Sequence, residues 1–290
     1  MERAQPDPLV IQRNVILGLL LGLAVAAWLL LARQTGSSNM AVAMGSLTMG
    51  MRAPLFLTMW VVMMVAMMFP AAAPMVLTFH QIQIGKRERG EAFVATWVFV
   101  AAYMLVWVLA GVAAYAGALA AEWLARHAAV SAATAARIGA GIVVLAGLYQ
   151  LTPLKDRCLA KCRTPISFIM TSWRDGAIGA FRMGLSHGVY CLGCCWLLFV
   201  ILFPLGIMNI GAMALLTFLI LAEKTLPWAR VTAGVSATAL LAYGAFVLAV
   251  PQALPTFMVN GNAATTPAAA ASMDMQAMPM PDRTGASPHR

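Results

Sequence analysis

The chain of 290 residues is 62% hydrophobic and 10% charged, with a mean hydropathy of +0.83, whereas a soluble domain is about 45–50% apolar and about 25% charged. That balance excludes the pair of soluble domains that length alone would suggest. The net charge of +9 does not mark a nucleic-acid binder, because the Lys and Arg residues sit in short clusters between apolar blocks, not in a basic stripe interleaved with aromatics.

A helix needs about 20 apolar residues to cross a hydrocarbon core of about 30 Å, and several blocks reach that length. The first runs from about Val15 to Leu31; Arg3 and Arg13 precede it, but Leu31-Ala32-Arg33-Gln34 is a poor cleavage site, so it reads as an uncleaved anchor. Its Gly18 and Gly22 form a GxxxG that permits close helix packing. A loop over 33–53, rich in Gly, Ser and Met, leads to a second span from about Pro54 to Phe79, whose Pro70 and Pro74 should kink or break its later turns. Residues 85–90 read as a tight basic loop. The third span runs from Ala92 to about Ala120 and the fourth from about Ala132 to Leu151. Pro153 opens a polar loop, a fifth span covers about Arg182 to Phe203, and a turn at Pro204 starts a sixth that ends near Ala222. After a turn bracketed by Glu223-Lys224 and Arg230, Val231 to Val250 forms the seventh. The expected fold is therefore all-α: a polytopic transmembrane helix bundle over 1–250 with about seven spans, followed by a disordered Met-rich tail over 251–290.

Orientation follows from positive charge. With the N-terminus inside, 13 of the 19 Lys and Arg fall on the inner side and 6 on the outer. The N-terminus is therefore expected in the cytoplasm of a bacterium, the bundle in its inner membrane and the tail outside.

The chemistry-bearing residues are concentrated. The five cysteines are Cys158, Cys162, Cys191, Cys194 and Cys195, and His187 lies four residues before Cys191. On a helix, spacings of four, seven and eight share a face, so His187, Cys191, Cys194 and Cys195 form one stripe, and Cys158 and Cys162 another if their segment is helical. Buried cysteine is often only a small hydrophobe. Clustering with an ionisable residue inside a span, however, points to metal or thiol chemistry. Reduced thiols and imidazole suit Cu(I) or Zn(II), with copper favoured and zinc the alternative. His80 falls on the same side as a further ligand or an interfacial histidine with a backbone partner, while His127 and His289 are expected to be solvated. Glu223-Lys224 reads as an interfacial pair, or else as a polar mouth to the cysteine site.

The chain holds 21 Met. Met59, Met63 and Met67 stack at i, i+4 and i+8 beside Met64 and Met68, which suits flexible core packing. Met40, Met44, Met49 and Met51 lie in the first outer loop, and Met273, Met275, Met278 and Met280 in the tail, where packing gains nothing. Thioether is a soft ligand for Cu(I). Met59, Met63, Met67 and the four tail methionines are thus candidate secondary donors on a copper route.

At these motifs the sequence resembles a bacterial family of predicted metal-binding integral membrane proteins, a domain of unknown function. The matching stretches are Trp60 to Pro74, Tyr149 to Lys155 with Cys158, Cys162 and Arg163, Gly184 to Trp196 with its Cys-Leu-Gly-Cys-Cys-Trp run, and Met208-Asn209 with Glu223-Lys224. They span about 55–230. The resemblance implies a membrane location and bound metal; it carries no reaction.

These readings favour a membrane protein handling a soft metal as transporter, chaperone or insertion partner, working with a metalloprotein or another membrane subunit. No phosphate-cradling loop ends in Lys and Ser or Thr, so any transport is passive, ion-coupled or driven by a partner. Two rivals stand: a membrane thiol–disulfide oxidoreductase, and a structural subunit whose cysteines only pack.

Overall fold

The computed structural model describes residues 8–35, 47–91 and 93–254, and among them every regular element is a helix. In chain order these are α1 (Pro8–Thr35), α2 (Ala53–Glu88), α3 (Thr96–His127), α4 (Ala132–Gln150), α5 (Pro153–Arg163), α6 (Pro165–Ser172), α7 (Gly176–Val200), α8 (Leu202–Leu205), α9 (Ile210–Thr225) and α10 (Ala229–Ala249). A 3₁₀ turn follows at Pro251–Ala253. Met40, Met44, His289 and the four tail methionines lie outside the described residues.

Among the described residues six helices are long and apolar enough to cross a membrane: α1, α2, α3, α4, α7 with α8, and α10. Their outward faces carry Leu19, Leu109, Ile178, Val235 and Phe246, all exposed. Helices apolar all round cannot present such faces to water. α9 is apolar but has 16 residues, a length of about 24 Å. It is the sixth of the seven expected spans and falls short of the others.

Interhelical contacts fix how the helices run. In α1, Trp28 Nε1 donates to the Ala66 carbonyl of α2 at 3.1 Å, and α2 turns back along α3, with Trp60 Nε1 donating to the Trp107 carbonyl (2.9 Å) and Phe79 stacked on Phe99 at 4.9 Å. α3 and α7 lie parallel: a methyl at Gly184 would meet the Phe99 carbonyl at 2.4 Å, one at Gly188 would meet Val106 at 2.8 Å, and Trp107 packs edge-on against Phe199. These two glycines let the backbones approach as the Gly184/Gly188 spacing predicts. The Gly18/Gly22 spacing of α1 does not behave so. It faces outward with nothing near it, and α1 packs instead through Leu20, Ala24, Ala27 and Leu31. α4 and α10 run antiparallel, Gly147 against Leu241 and Gly244 against Val144.

Several expected boundaries move. α2 is continuous through Pro70 and Pro74 and absorbs most of the expected basic loop, ending at Glu88. Proline removes one backbone donor, and dense side-chain burial around these turns carries the helix through. The expected polar loop after Pro153 is two helices. Thr152 caps α5, its hydroxyl accepting from Lys155 N, and Pro153 sits where its missing N–H costs nothing. α7 begins at Gly176, six residues before Arg182. Glu223 and Lys224 belong to the last turn of α9, not to a turn after it.

Candidate metal centre

α7 places His187, Cys191, Cys194 and Cys195 on its buried face, as the spacing predicts. Against that face lies α5, an amphipathic helix that buries Lys155, Leu159 and Cys162. These three stand at i, i+4 and i+7, the stripe a helix turns to a core. Cys158 sits beside it, half-buried, its Sγ 2.9 Å from where a methyl on Gly193 would lie. The Tyr149 hydroxyl donates to the Gly193 carbonyl, clamping the end of α4 to α7 at the same level. All five cysteines are free thiols, and the structure brings them to one place.

Cys191 is the hub. Its sulfur receives a hydrogen bond from Lys224 Nζ at 3.0 Å and lies 3.2 Å from Tyr103 Oη. Its carbonyl accepts from the thiols of Cys194 (3.0 Å) and Cys195 (2.8 Å). Cys162 is buried on α5 in the same cluster as Cys191 and Cys194. Burial pushes the Cys158 thiol up, with further repulsion from Cys194. Among the described residues no three or more His, Cys, Asp or Glu side chains already stand in a metal-holding arrangement. Cys194 and Cys195 are turned to a backbone carbonyl, and they would rotate away from it to act as ligands.

His187 is adjacent but enclosed. Its ring is boxed by Tyr103, Phe168 and Phe99, with centroids 5.4, 5.8 and 5.9 Å away, and neither ring nitrogen has a hydrogen-bond partner. A buried, unpaired imidazole costs free energy unless something completes it.

Below the sulfurs lies a second polar layer. Lys155 Nζ pairs with Glu223 Oε2 at 2.7 Å, both side chains being almost wholly buried. The other carboxylate oxygen accepts from Gln150 Nε2 (3.1 Å) and Ser236 Oγ (3.2 Å), and Arg163 donates to the Glu223 carbonyl at 2.6 Å. Four helices, α4, α5, α9 and α10, are thereby tied at one point. The expected Glu223–Lys224 pair is thus corrected: the two side chains part, Glu223 to Lys155 and Lys224 to Cys191. Neighbours in a helix point in different directions, so their adjacency in sequence never required a mutual pair.

Sequence reasoning missed Tyr103, Lys155, Gln150 and Ser236. For Lys155 a signal existed, since it shares a helical stripe with Cys162. Gln150 and Lys155 both lie in the Tyr149 to Lys155 stretch that carries the resemblance, whereas Tyr103 and Ser236 come from distant segments with nothing local to mark them. His80 has a side-chain partner instead of the expected backbone one, Thr96 Oγ1 at 2.9 Å. His127 is exposed as expected, its Nδ1 2.8 Å from the Trp123 carbonyl. Met59, Met63, Met64, Met67 and Met68 are buried in the same core cluster as Cys162, Cys191, Cys194 and Cys195.

The sequence profile of one protein family, PpoB2, described as a copper chaperone, matches residues 57–247. No curated protein and no solved structure matches the chain.

Proposed function

The chain belongs to the PpoB2 copper chaperone family, and from that premise we propose that it is an integral membrane protein that holds Cu(I) at the junction of α5, α7 and α9. One observation carries the proposal: cysteines from two packed helices share one buried cluster, with a fixed ammonium bonded to Cys191. Thiolate sulfur selects Cu(I) among the available metals, with Zn(II) the nearest competitor. Cys191, Cys194 and Cys195 with Cys162 are the primary donors. Cys158, the one cysteine that is only half-buried, is the donor through which cargo is exchanged with a partner protein. His187, one helical turn from Cys191, completes the set with a neutral imidazole. Thiols held only by hydrogen bonds to a carbonyl release and regain it at little cost, which suits a carrier better than a permanent site.

Six apolar helices and their exposed lipid-like faces support the membrane location. The distribution of Lys and Arg supports an N-terminus inside and a C-terminus outside the inner membrane. The thioethers of Met59, Met63 and Met67, packed in the same cluster as the cysteines, supply secondary soft donors leading toward the opposite end of α2. The tail methionines Met273, Met275, Met278 and Met280 would collect copper on the outer side.

The test is anaerobic Cu(I) competition against a chromophoric chelator, using the full chain in detergent. Wild type should hold tightly bound Cu(I), and a variant with Cys191→Ser, Cys194→Ser and Cys195→Ser should lose it. Equal copper in the two proteins would sink the proposal.

A further inference from the structure

The buried ammonium at the sulfur cluster asks for a role, because an unpaired charge in such a place is expensive. Lys224 is buried at the end of α9, and among the described residues its one hydrogen-bond partner is Cys191 Sγ at 3.0 Å. The nearest carboxylate in sequence, Glu223, is taken by Lys155, Gln150 and Ser236, and its backbone carbonyl by Arg163. These bonds fix the last turn of α9. They leave Lys224 facing sulfur, with no carboxylate to neutralise it.

We propose that Lys224 is the charge selector of this centre, matching it to a monovalent soft cation and turning away divalent ones. The inference rests on the cysteines being the copper site. A buried centre is most favourable when its charges sum to zero. One Cu(I) and the Lys224 ammonium together carry two positive charges, which two thiolates balance. A divalent ion beside the same ammonium needs three of the four primary thiols ionised, one buried deprotonation more than Cu(I) requires, and with two it leaves a net positive charge in a low-dielectric interior. Direct repulsion acts in the same direction, since the ammonium repels a divalent ion twice as strongly as a monovalent one at equal distance. Without the ammonium the balance inverts: two thiolates then neutralise one Zn(II) and leave Cu(I) one charge over-compensated. In the metal-free protein the same ammonium stands in for the cargo, keeping a charge-compensated cluster until Cu(I) arrives.

The experiment measures Cu(I) and Zn(II) dissociation constants by chelator competition for the full chain in detergent. It compares wild type with Lys224→Met, Lys224→Gln, Lys224→Arg and Cys191→Ser. Cobalt(II) is added as an optical probe, because thiolate coordination gives it a charge-transfer band. Expected is a shift of the Zn(II)/Cu(I) affinity ratio toward zinc by roughly tenfold or more in both neutral variants, with a thiolate–Co(II) band that is absent from wild type. Lys224→Arg should keep the wild-type ratio. A ratio unchanged in Lys224→Gln or Lys224→Met, a parallel loss of both metals, or a shift in Lys224→Arg as large as in the neutral variants overturns the proposal. Cys191→Ser separates the two readings: if it leaves Cu(I) binding intact, the assignment of the site itself has failed, whatever Lys224 does.

Discussion

Cys191 and Glu223 show how much of a buried site is decided one side chain at a time. The Lys155–Glu223 pair is enclosed on all sides and accepts help only from Gln150, Ser236 and Arg163. Breaking a buried pair by removing one partner typically costs about 3–5 kcal/mol, because the other charge is stranded. Lys155→Met should therefore lower the stability of the solubilised protein by that order, and adding Glu223→Gln should recover a large part of the loss. Thermal or denaturant unfolding of the two variants checks this; a single variant as stable as wild type would mean that the pair contributes nothing. The cost also explains why this layer was hard to foresee. His187 and three of the cysteines, Cys191, Cys194 and Cys195, are legible as a stripe of one helix, a relation that local spacing fully determines. Lys155, Gln150 and Ser236 meet Glu223 across four helices, and no pattern in any one segment specifies which distant polar groups will satisfy one another. Of the two readings of Glu223-Lys224, an interfacial pair or a polar mouth to the cysteine site, the first fails because adjacent helical residues point about 100° apart, Glu223 to Lys155 and Lys224 to Cys191.

At the level of elements, α2 and α5 are the informative cases. α5 was expected as polar loop because its composition is rich in Lys, Arg and Asp, yet Thr152 and Pro153 supply a helix start and Lys155, Leu159 and Cys162 a buried stripe. Its mean composition hid a periodic pattern. In α2 the opposite holds: the methionine rows were plain, and their purpose was not. Met63 and Met67 are fully buried in the core cluster that contains the cysteines. Replacing buried Met by Leu keeps volume and usually costs less than about 1.5 kcal/mol, so Met63→Leu with Met67→Leu separates packing from ligation. The double variant should unfold near the wild-type temperature and hold copper at the cysteines with unchanged affinity. It should take up Cu(I) several-fold more slowly in proteoliposomes loaded from the outer side. An unchanged uptake rate would return these thioethers to core packing alone.

For the molecule as a whole, the undecided quantity is whether the chain crosses an odd or an even number of times, and α9 decides it. Pro204, in α8, lies where a methyl on Gly139, in the interior of α4, would touch it at 2.8 Å. At the other end of α9, Glu223 binds Gln150, the last residue of α4. α9 packs against α10, α2 and α5, and its C-terminal end lies level with the end of α4. Clamping by Lys155 and Arg163 at its polar end makes a short crossing tenable, because the charges are satisfied within protein and not in lipid. Among the described residues the long apolar helices number six; we expect α9 to cross as well, which would make seven crossings and put the end of α10 opposite the basic cluster of α5. Two reporter fusions test this in a bacterial inner membrane. A fluorescent protein inserted at Arg174, between α6 and α7, should fluoresce, and a phosphatase fused after Leu254 should be active, since it folds only outside. A fusion after Leu254 that is fluorescent and lacks phosphatase activity would show that α9 turns back without crossing. The outer position of the tail methionines would then fall, while the cysteine centre, built entirely from α5, α7 and α9, would stand.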